Sequence, residues 1–551
     1  MNKKITAVLA AVTLAGFSGL ASAWTPSQGA PDLQINMSGA TAMDNSITSL
    51  FTTLCEPGTL DSYFNDSANP GNAYRAFYCT LTANKVPGLS VSPLKVLFVK
   101  RSAGGSAQGV NPIIDQQRLQ ALNIFNNNCT LSPTANNPKR WLCRTSQPGD
   151  LELRYSDIGI SDVDVRMFRG VNTPAGFNPV NPESANDLDS VSVAALIFGV
   201  PVNNSLYNAL QYAQRQFGPI PSDCAIGEYS REECIPSLSK SDVASLMNGR
   251  VASWTQYMID DGSATGRSLV DVVSDGIAGG VQGLSLPTRL GGTAAREASK
   301  NFVRYCKRVN GSGTGAQQYA KFLHNPCTDG AAEPMQASVF TTGPIVIQNS
   351  GSGDIELCLN DYQLGLNNTG QNGVSGLAPL ARAWAFGVQS LEKNDANANP
   401  QWPYKFVKID GVAPTLENAF TGKYMDVVEM TYQWLKPNTN KLPACAYGQL
   451  GSHPATCGPR PPEQDVKVII DQMREEASQP IVVGSVLNVA SNYPFGKSGY
   501  LAPAVPFATS PSFTGLLNEN APIWPYTHNT GAGINNCVVP MLPAAVTKKP
   551  L

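Results

Sequence analysis

Three times in this chain a turn of small and polar residues opens onto a segment with helical periodicity. That pattern restricts the fold more than any other feature. The densest case covers residues 307–323. Arg308 leads into the tight turn Asn310-Gly311-Ser312-Gly313-Thr314, after which Tyr319, Phe322 and Leu323 recur at helical spacing. A helix start presents free backbone N–H groups and the positive end of its dipole. Glycines let that backbone approach a ligand, Ser and Thr hydroxyls add donors, and an adjacent arginine supplies a two-pronged fork, a combination suited to an oxyanion. The plain alternative is a flexible turn with Thr314 as an N-cap.

The rest of the chain repeats the theme. Leu33-Gln34-Ile35-Asn36-Met37 alternates like a strand and runs through Ser38-Gly39-Ala40-Thr41-Ala42 into a helical pattern over 43–54. Residues 94–99 predict a second strand, ending in Lys100-Arg101-Ser102-Ala103-Gly104-Gly105-Ser106, with a helix-like segment over 112–125. A strand over 152–160 ends in Ser161-Asp162-Val163-Asp164, and the apolar run 191–202 fits a strand buried on both faces. Residues 239–249 read as a capped helix closed by Gly249, and 293–304 as a helix capped by Thr293. Strands alternating with helices predict an α/β architecture with largely parallel sheets, whose ligands collect at the carboxyl ends of the strands.

At 551 residues the chain is long enough for two or three domains. Residues 1–23 read as a secretory signal: Lys3 and Lys4, an apolar stretch, then Ala21-Ser22-Ala23. Trp24 follows, so no lipid anchor is expected, and no later apolar run reaches the roughly 18 residues of a membrane span. Without Lys3 and Lys4, 37 basic residues face 41 acidic ones, which argues against nucleic acid or an anionic membrane as partner. Twelve cysteines in an exported chain predict six disulfides. Their spacing suggests Cys55–Cys79, Cys129–Cys143, Cys224–Cys234, Cys306–Cys327 and Cys445–Cys457, with Cys358–Cys537 left as a long-range pair. A metal centre is disfavoured, because there is no close CxxC and only His324, His453 and His528 are present. No cofactor is expected.

The order Ser38-Gly39-Ala40-Thr41, Ser102-Ala103-Gly104-Gly105, Ile158-Gly159-Ile160-Ser161-Asp162 and Arg308-Val309-Asn310-Gly311-Ser312-Gly313-Thr314 resembles the periplasmic phosphate-binding protein of ABC phosphate transporters. The stretches 238–254, 385–388 and 411–418 resemble later segments of that family, collinear from about Ile35 to Trp434. The resemblance implies a two-lobe periplasmic substrate-binding protein (type II), each lobe a mixed, mostly parallel sheet flanked by helices. It implies a first lobe over 24–203, a second over 204–424, and a return to the first plus a C-terminal extension over 425–551. It further implies that inorganic phosphate or a similar oxyanion is gripped by Thr41, Ala42, Ser102 and Asp162 from the first lobe and by Arg308, Ser312, Gly313 and Thr314 from the second. Ser106 rivals Ser102, because this turn is longer than usual. An ABC permease is the implied partner. Two departures stand out. Ala42 takes the place of a usual aromatic. Asn310 takes the place of the aspartate that pairs with the arginine, so it can hydrogen-bond Arg308 without neutralising it.

Two other readings use the same chemistry. A secreted phosphatase would need a His/Asp metal cluster or a nucleophile with a positioned base, and neither is visible around Ser102 or Ser312. A secreted matrix or adhesion protein reusing the fold would be marked by loss of the anion residues.

Overall fold

The computed structural model describes residues 29–65, 73–136, 139–181, 185–290, 300–339, 343–370, 372, 380–393, 403–436, 463–488, 499–507, 513–529, 533–544, 546 and 548–550. The segment read as a secretory signal and the expected Cys445–Cys457 pair lie outside them. The elements that build the site are, in chain order, β1 (Leu33–Gly39), α1 (Asp44–Leu54), β2 (Leu94–Arg101), β3 (Ile158–Ser161), β4 (Leu188–Gly199), β5 (Pro201–Asn203), β6 (Arg304–Arg308), α2 (Gly313–Leu323), β7 (Ile345–Asn349), α3 (Ser352–Leu364), β8 (Ala385–Gly387) and β9 (Val427–Leu435).

Two mixed sheets flanked by helices organise the chain into two lobes. In the larger sheet β1 lies between β2 and β3 and is parallel to both. Ser38 stands opposite Arg101 on one side and Gly159 on the other, so the turns after β1, β2 and β3 leave the sheet at one edge. β9 runs antiparallel to β3, and β4 antiparallel to β9. In the smaller sheet β6 lies parallel to β7 and β8. Arg308 pairs with Asn349, which starts the turns after β6 and β7 side by side. The chain crosses between sheets at Val200, because β5 joins the smaller sheet directly after β4.

Each sheet has its own core. Ile35, Met37, Val96 and Phe98 pack with α1 in the first, and Tyr305, Val346, Ile355 and Phe386 pack in the second. Helix α2 serves both, with Ala316 and Ala320 in the first core and Tyr319, Phe322 and Leu323 in the second.

Several expectations are corrected. Parallel pairing joins the strands that carry site turns, β6 with β8, and also Asp61–Asn65 with Lys139–Cys143 and Ser237–Leu238 with Lys408–Ile409; the remaining ladders among the described residues are antiparallel. The helix expected over 112–125 stops at Ile114, where Gln116 takes a positive φ of 50°, and Leu119–Leu122 pairs antiparallel with Leu151–Arg154. That pairing also splits the strand expected over 152–160. The helix expected over 293–304 ends inside β6, because Arg304 is held between parallel neighbours at Ile345 and Ala385. Residues 291–299 of that stretch lie outside the described ones.

The three short staples Cys55–Cys79, Cys129–Cys143 and Cys224–Cys234 are present. Cys306 bonds Cys358 instead of Cys327, and Cys327 bonds Cys537. The reason is geometric. Helix α2, about 16 Å long, carries Cys327 away from Cys306, while α3 packs Cys358 onto β6.

Candidate functional site

Arg308 is the last residue of β6, and the Gly311 turn (φ 90°) delivers the chain to α2. Ser312, not Thr314, caps that helix: its hydroxyl accepts from Gly315 N at 3.3 Å. Thr314 is thereby free for the cleft. Its Oγ1 donates to Asp162 Oδ2 at 3.1 Å and accepts from Arg308 Nη1 at 3.3 Å. The other guanidinium nitrogen, Nη2, donates to Thr41 Oγ1 at 3.2 Å and to the Ser350 carbonyl at 2.9 Å. Thr41, Asp162, Arg308 and Thr314 therefore meet, although they come from opposite lobes, and all four are buried.

The first lobe adds groups not expected from the sequence. Lys100 is fully buried at the end of β2 and donates to the Gly39 and Ala40 carbonyls at 3.2 and 3.0 Å and to Ser102 Oγ at 2.9 Å. Ser102 in turn donates to Asp44 Oδ1 at 2.7 Å, and Asp44 pairs with Lys100 at 3.4 Å and Arg75 at 3.5 Å. Leu94, Val96, Phe98 and Lys100 alternate onto one buried face. A charge on that face was the available signal. Ser352, on α3, lies 3.3 Å from Thr41 Oγ1 and 3.5 Å from Arg308 Nη1. Its Ser350-Gly351-Ser352 turn repeats the strand–small residue–helix pattern after β7.

Ser106 serves differently from Ser102: its hydroxyl accepts from Asp162 N at 3.2 Å and fixes the strand end. Ala42 is buried, and its carbonyl oxygen lies 2.7 Å from the Tyr500 hydroxyl, which also lies 2.7 Å from Glu392 Oε2. Burial raises Glu392 to about 8, so a neutral Glu392 can donate to Tyr500 while Tyr500 donates to Ala42. Asn310 does not reach Arg308 as expected; its Oδ1 accepts from Lys307 Nζ at 2.9 Å.

Burial dominates the electrostatics. It raises the Asp162 carboxyl above the usual range, with Arg308 and Thr314 pulling the other way. It pushes Lys100 down to about 8 against the pull of Asp44. Burial lowers Arg308 as well, yet a guanidinium stays charged in proteins. Asp162 Oδ1 and Arg308 Nε are buried without a hydrogen-bond partner among the described residues. One acceptor and one donor are thus left over in a closed site.

The lobes touch around it. Ala107 N donates to the Gly311 carbonyl at 2.8 Å, and Gly104 N to Ser350 Oγ at 3.2 Å. A Cβ on Gly105 would lie 2.9 Å from Ser312 Cα. Among the described residues, the metal-type grouping Cys224, Glu228 and Cys234 holds two cysteines already joined as a disulfide.

Fold and site together define a two-lobed α/β protein with a polar cleft between its sheets. No family model and no curated protein matches this sequence. Solved structures do. A phosphate ABC transporter substrate-binding protein from Clostridium perfringens, solved with bound phosphate, is 12% identical over 81% of this chain and 96% of its own, with a TM-score of 0.33. An ABC-type phosphate transport receptor from Vibrio cholerae is 10% identical over 81% and 96%, again with a TM-score of 0.33. PstS from Borrelia burgdorferi is 10% identical over 73% and 87%, with a TM-score of 0.27.

Proposed function

We propose that this is an exported solute-binding protein that closes on an oxyanion, inorganic phosphate first among them, and that it binds the anion rather than transforming it. The observation that carries the reading is the pair Arg308 and Asp162. They belong to opposite lobes, share Thr314 as a bridge, and each keeps a buried polar atom without a partner among the described residues. A ligand bearing both a negative oxygen and a proton satisfies both at once. Phosphate near neutral pH is such a ligand, and sulfate is not. Arg308, Thr314 and the N-terminus of α2 supply the positive wall. Thr41 supplies a hydroxyl from the first lobe, and the buried Lys100 charge stands behind it. Under this reading an ABC permease is the natural partner, and the disulfides suit an extracytoplasmic compartment.

Calorimetric titration of the mature protein with phosphate, arsenate, sulfate and phosphonates tests it. Phosphate should bind with the largest affinity, and Arg308→Ala should weaken it at least tenfold. Truncating one partner of a desolvated charged contact costs about 2–5 kcal/mol. Unchanged affinity in folded Arg308→Ala moves the site elsewhere. Turnover of a chromogenic phosphoester, abolished by EDTA, would replace the reading with the phosphatase one.

A further inference from the structure

The cleft is sealed on one side of the anion site and open on the other. On the Asp162 side the lobes meet without room. Ala107 N bonds the Gly311 carbonyl, and a Cβ on Gly313 would stand 2.8 Å from Asp162 Cβ and against Ser106. On the Thr41 side the lobes part around a cavity of about 410 Å³ whose inner wall includes Thr41, Ser102 and Ser350. Arg308 Nη2 contacts Thr41 Oγ1 and the Ser350 carbonyl, and Thr41 and Ser350 line that cavity, so these two residues separate the guanidinium from it. Its volume falls within the roughly 300–1,000 Å³ of small-molecule sites.

We propose that the cleft takes a phosphate monoester carrying a small polyhydroxylated group. The phosphoryl group sits against Arg308, Thr314 and Asp162, its ester oxygen faces Thr41 and Ser102, and the polyol fills the cavity beyond. This deepens, and rests on, the reading of the cleft as a phosphate site. Thr145 from one lobe and Gln348, Asn368 and Asp354 from the other line the outer cavity. Amides, a hydroxyl and a carboxylate match sugar or glycerol hydroxyls. Asp354 Oδ2 accepts from Gly351 N at 2.8 Å, and the carboxylate repels a second anionic group on the ligand. The proton shared with Asp162 comes with the monoester monoanion. A phosphodiester is excluded, because its second substituent would have to enter the sealed side.

Titration of the full mature chain with inorganic phosphate, glycerol 3-phosphate, a hexose 6-phosphate and glycerophosphocholine tests the proposal. Both monoesters should bind at least as tightly as phosphate, and the diester should not bind. Gln348 is exposed, so Gln348→Trp can block the cavity without disturbing a core. It should weaken the monoesters tenfold or more and leave phosphate within about twofold. Asn368→Trp, at another exposed position, provides the same obstruction should Gln348→Trp fail to fold. Phosphate binding with no monoester binding overturns the proposal and leaves the phosphate reading standing. Diester binding, or monoester affinity unmoved by the blocking variant, also overturns it. If no phosphorylated compound binds, both readings fall.

Discussion

Under the proposed function, Asp162 is the residue that selects among oxyanions. Against phosphate its carboxylate accepts a hydrogen bond from the ligand's proton; against sulfate it faces bare negative oxygen. A buried polar contact left unmatched costs roughly 1–3 kcal/mol. Asp162→Asn, whose amide can donate, should therefore shrink the preference for phosphate over sulfate by about tenfold in competition titrations at one pH and ionic strength. A variant that keeps its full preference rules Asp162 out as the selectivity residue. Lys100 sets a pH limit. The groups around it are Asp44, Arg75 and Asp162. Its ammonium is lowered to about 8 by burial, so the charge that favours an anion is present below that pH and lost above it. Phosphate affinity should fall as pH rises through 8, by at most about tenfold per unit, and Lys100→Met should flatten that fall. For folding the sign is opposite. The unfolded chain holds this proton up to about 10.4, so the Lys100 contribution to stability increases as pH climbs from 8.

At the scale of elements, the parallel strands β1, β2 and β3 bring one set of turns to an edge, and β6 and β7 bring the other. Helix α2 is where the two sets meet, and glycine is required there by contact. Gly313→Ala would push a methyl into Ser106 and to 2.8 Å from Asp162 Cβ. Ser106 opens a buried helical turn and Asp162 directly follows β3, both tightly packed, so the lobes must part. Phosphate affinity should drop tenfold or more while the thermal midpoint of the ligand-free protein changes little. Small-angle scattering with saturating phosphate should show a larger radius than wild type. An unchanged radius and affinity would mean that the cleft does not need this approach. The capping of α2 also corrects a sequence-level reading. Ser312 takes the cap because its extended backbone (φ −70°, ψ 126°) points its hydroxyl at Gly315 N, leaving Thr314 in the first turn to face Asp162.

Across the whole molecule, the C-terminal segment ties the lobes together. Asn536 Oδ1 accepts from Asp164 N at 2.6 Å, just beyond β3, and Asn536 Nδ2 donates to Gln317 on α2 at 3.4 Å. Arg166 donates to the Ile534 carbonyl at 2.8 Å, and Cys537 is bonded to Cys327 across 210 residues. If the proposed binding cycle opens the cleft, these contacts would resist it. Replacing both Cys327 and Cys537 by Ser should lower stability by on the order of 3–5 kcal/mol, because the closed loop is long. It should also speed phosphate release several-fold in stopped-flow chase experiments. Release rates within twofold of wild type would show that the strap does not restrain opening.

By itself the sequence determined the short-range features: the strands that feed glycine turns, the anion-suited turn after Arg308, the Ser239 capping box and the three local staples. These follow from backbone chemistry and side-chain periodicity over a few residues. Only the tertiary structure decided which turns face one another. Arg308 and Thr41 lie 267 positions apart and meet because the sheet order and the docking of two lobes place them there. The Lys100–Asp44–Arg75 cluster, the exchange of partners between Cys306 and Cys327, and the open side of the cleft have the same origin. Each depends on distances between elements that no local pattern encodes.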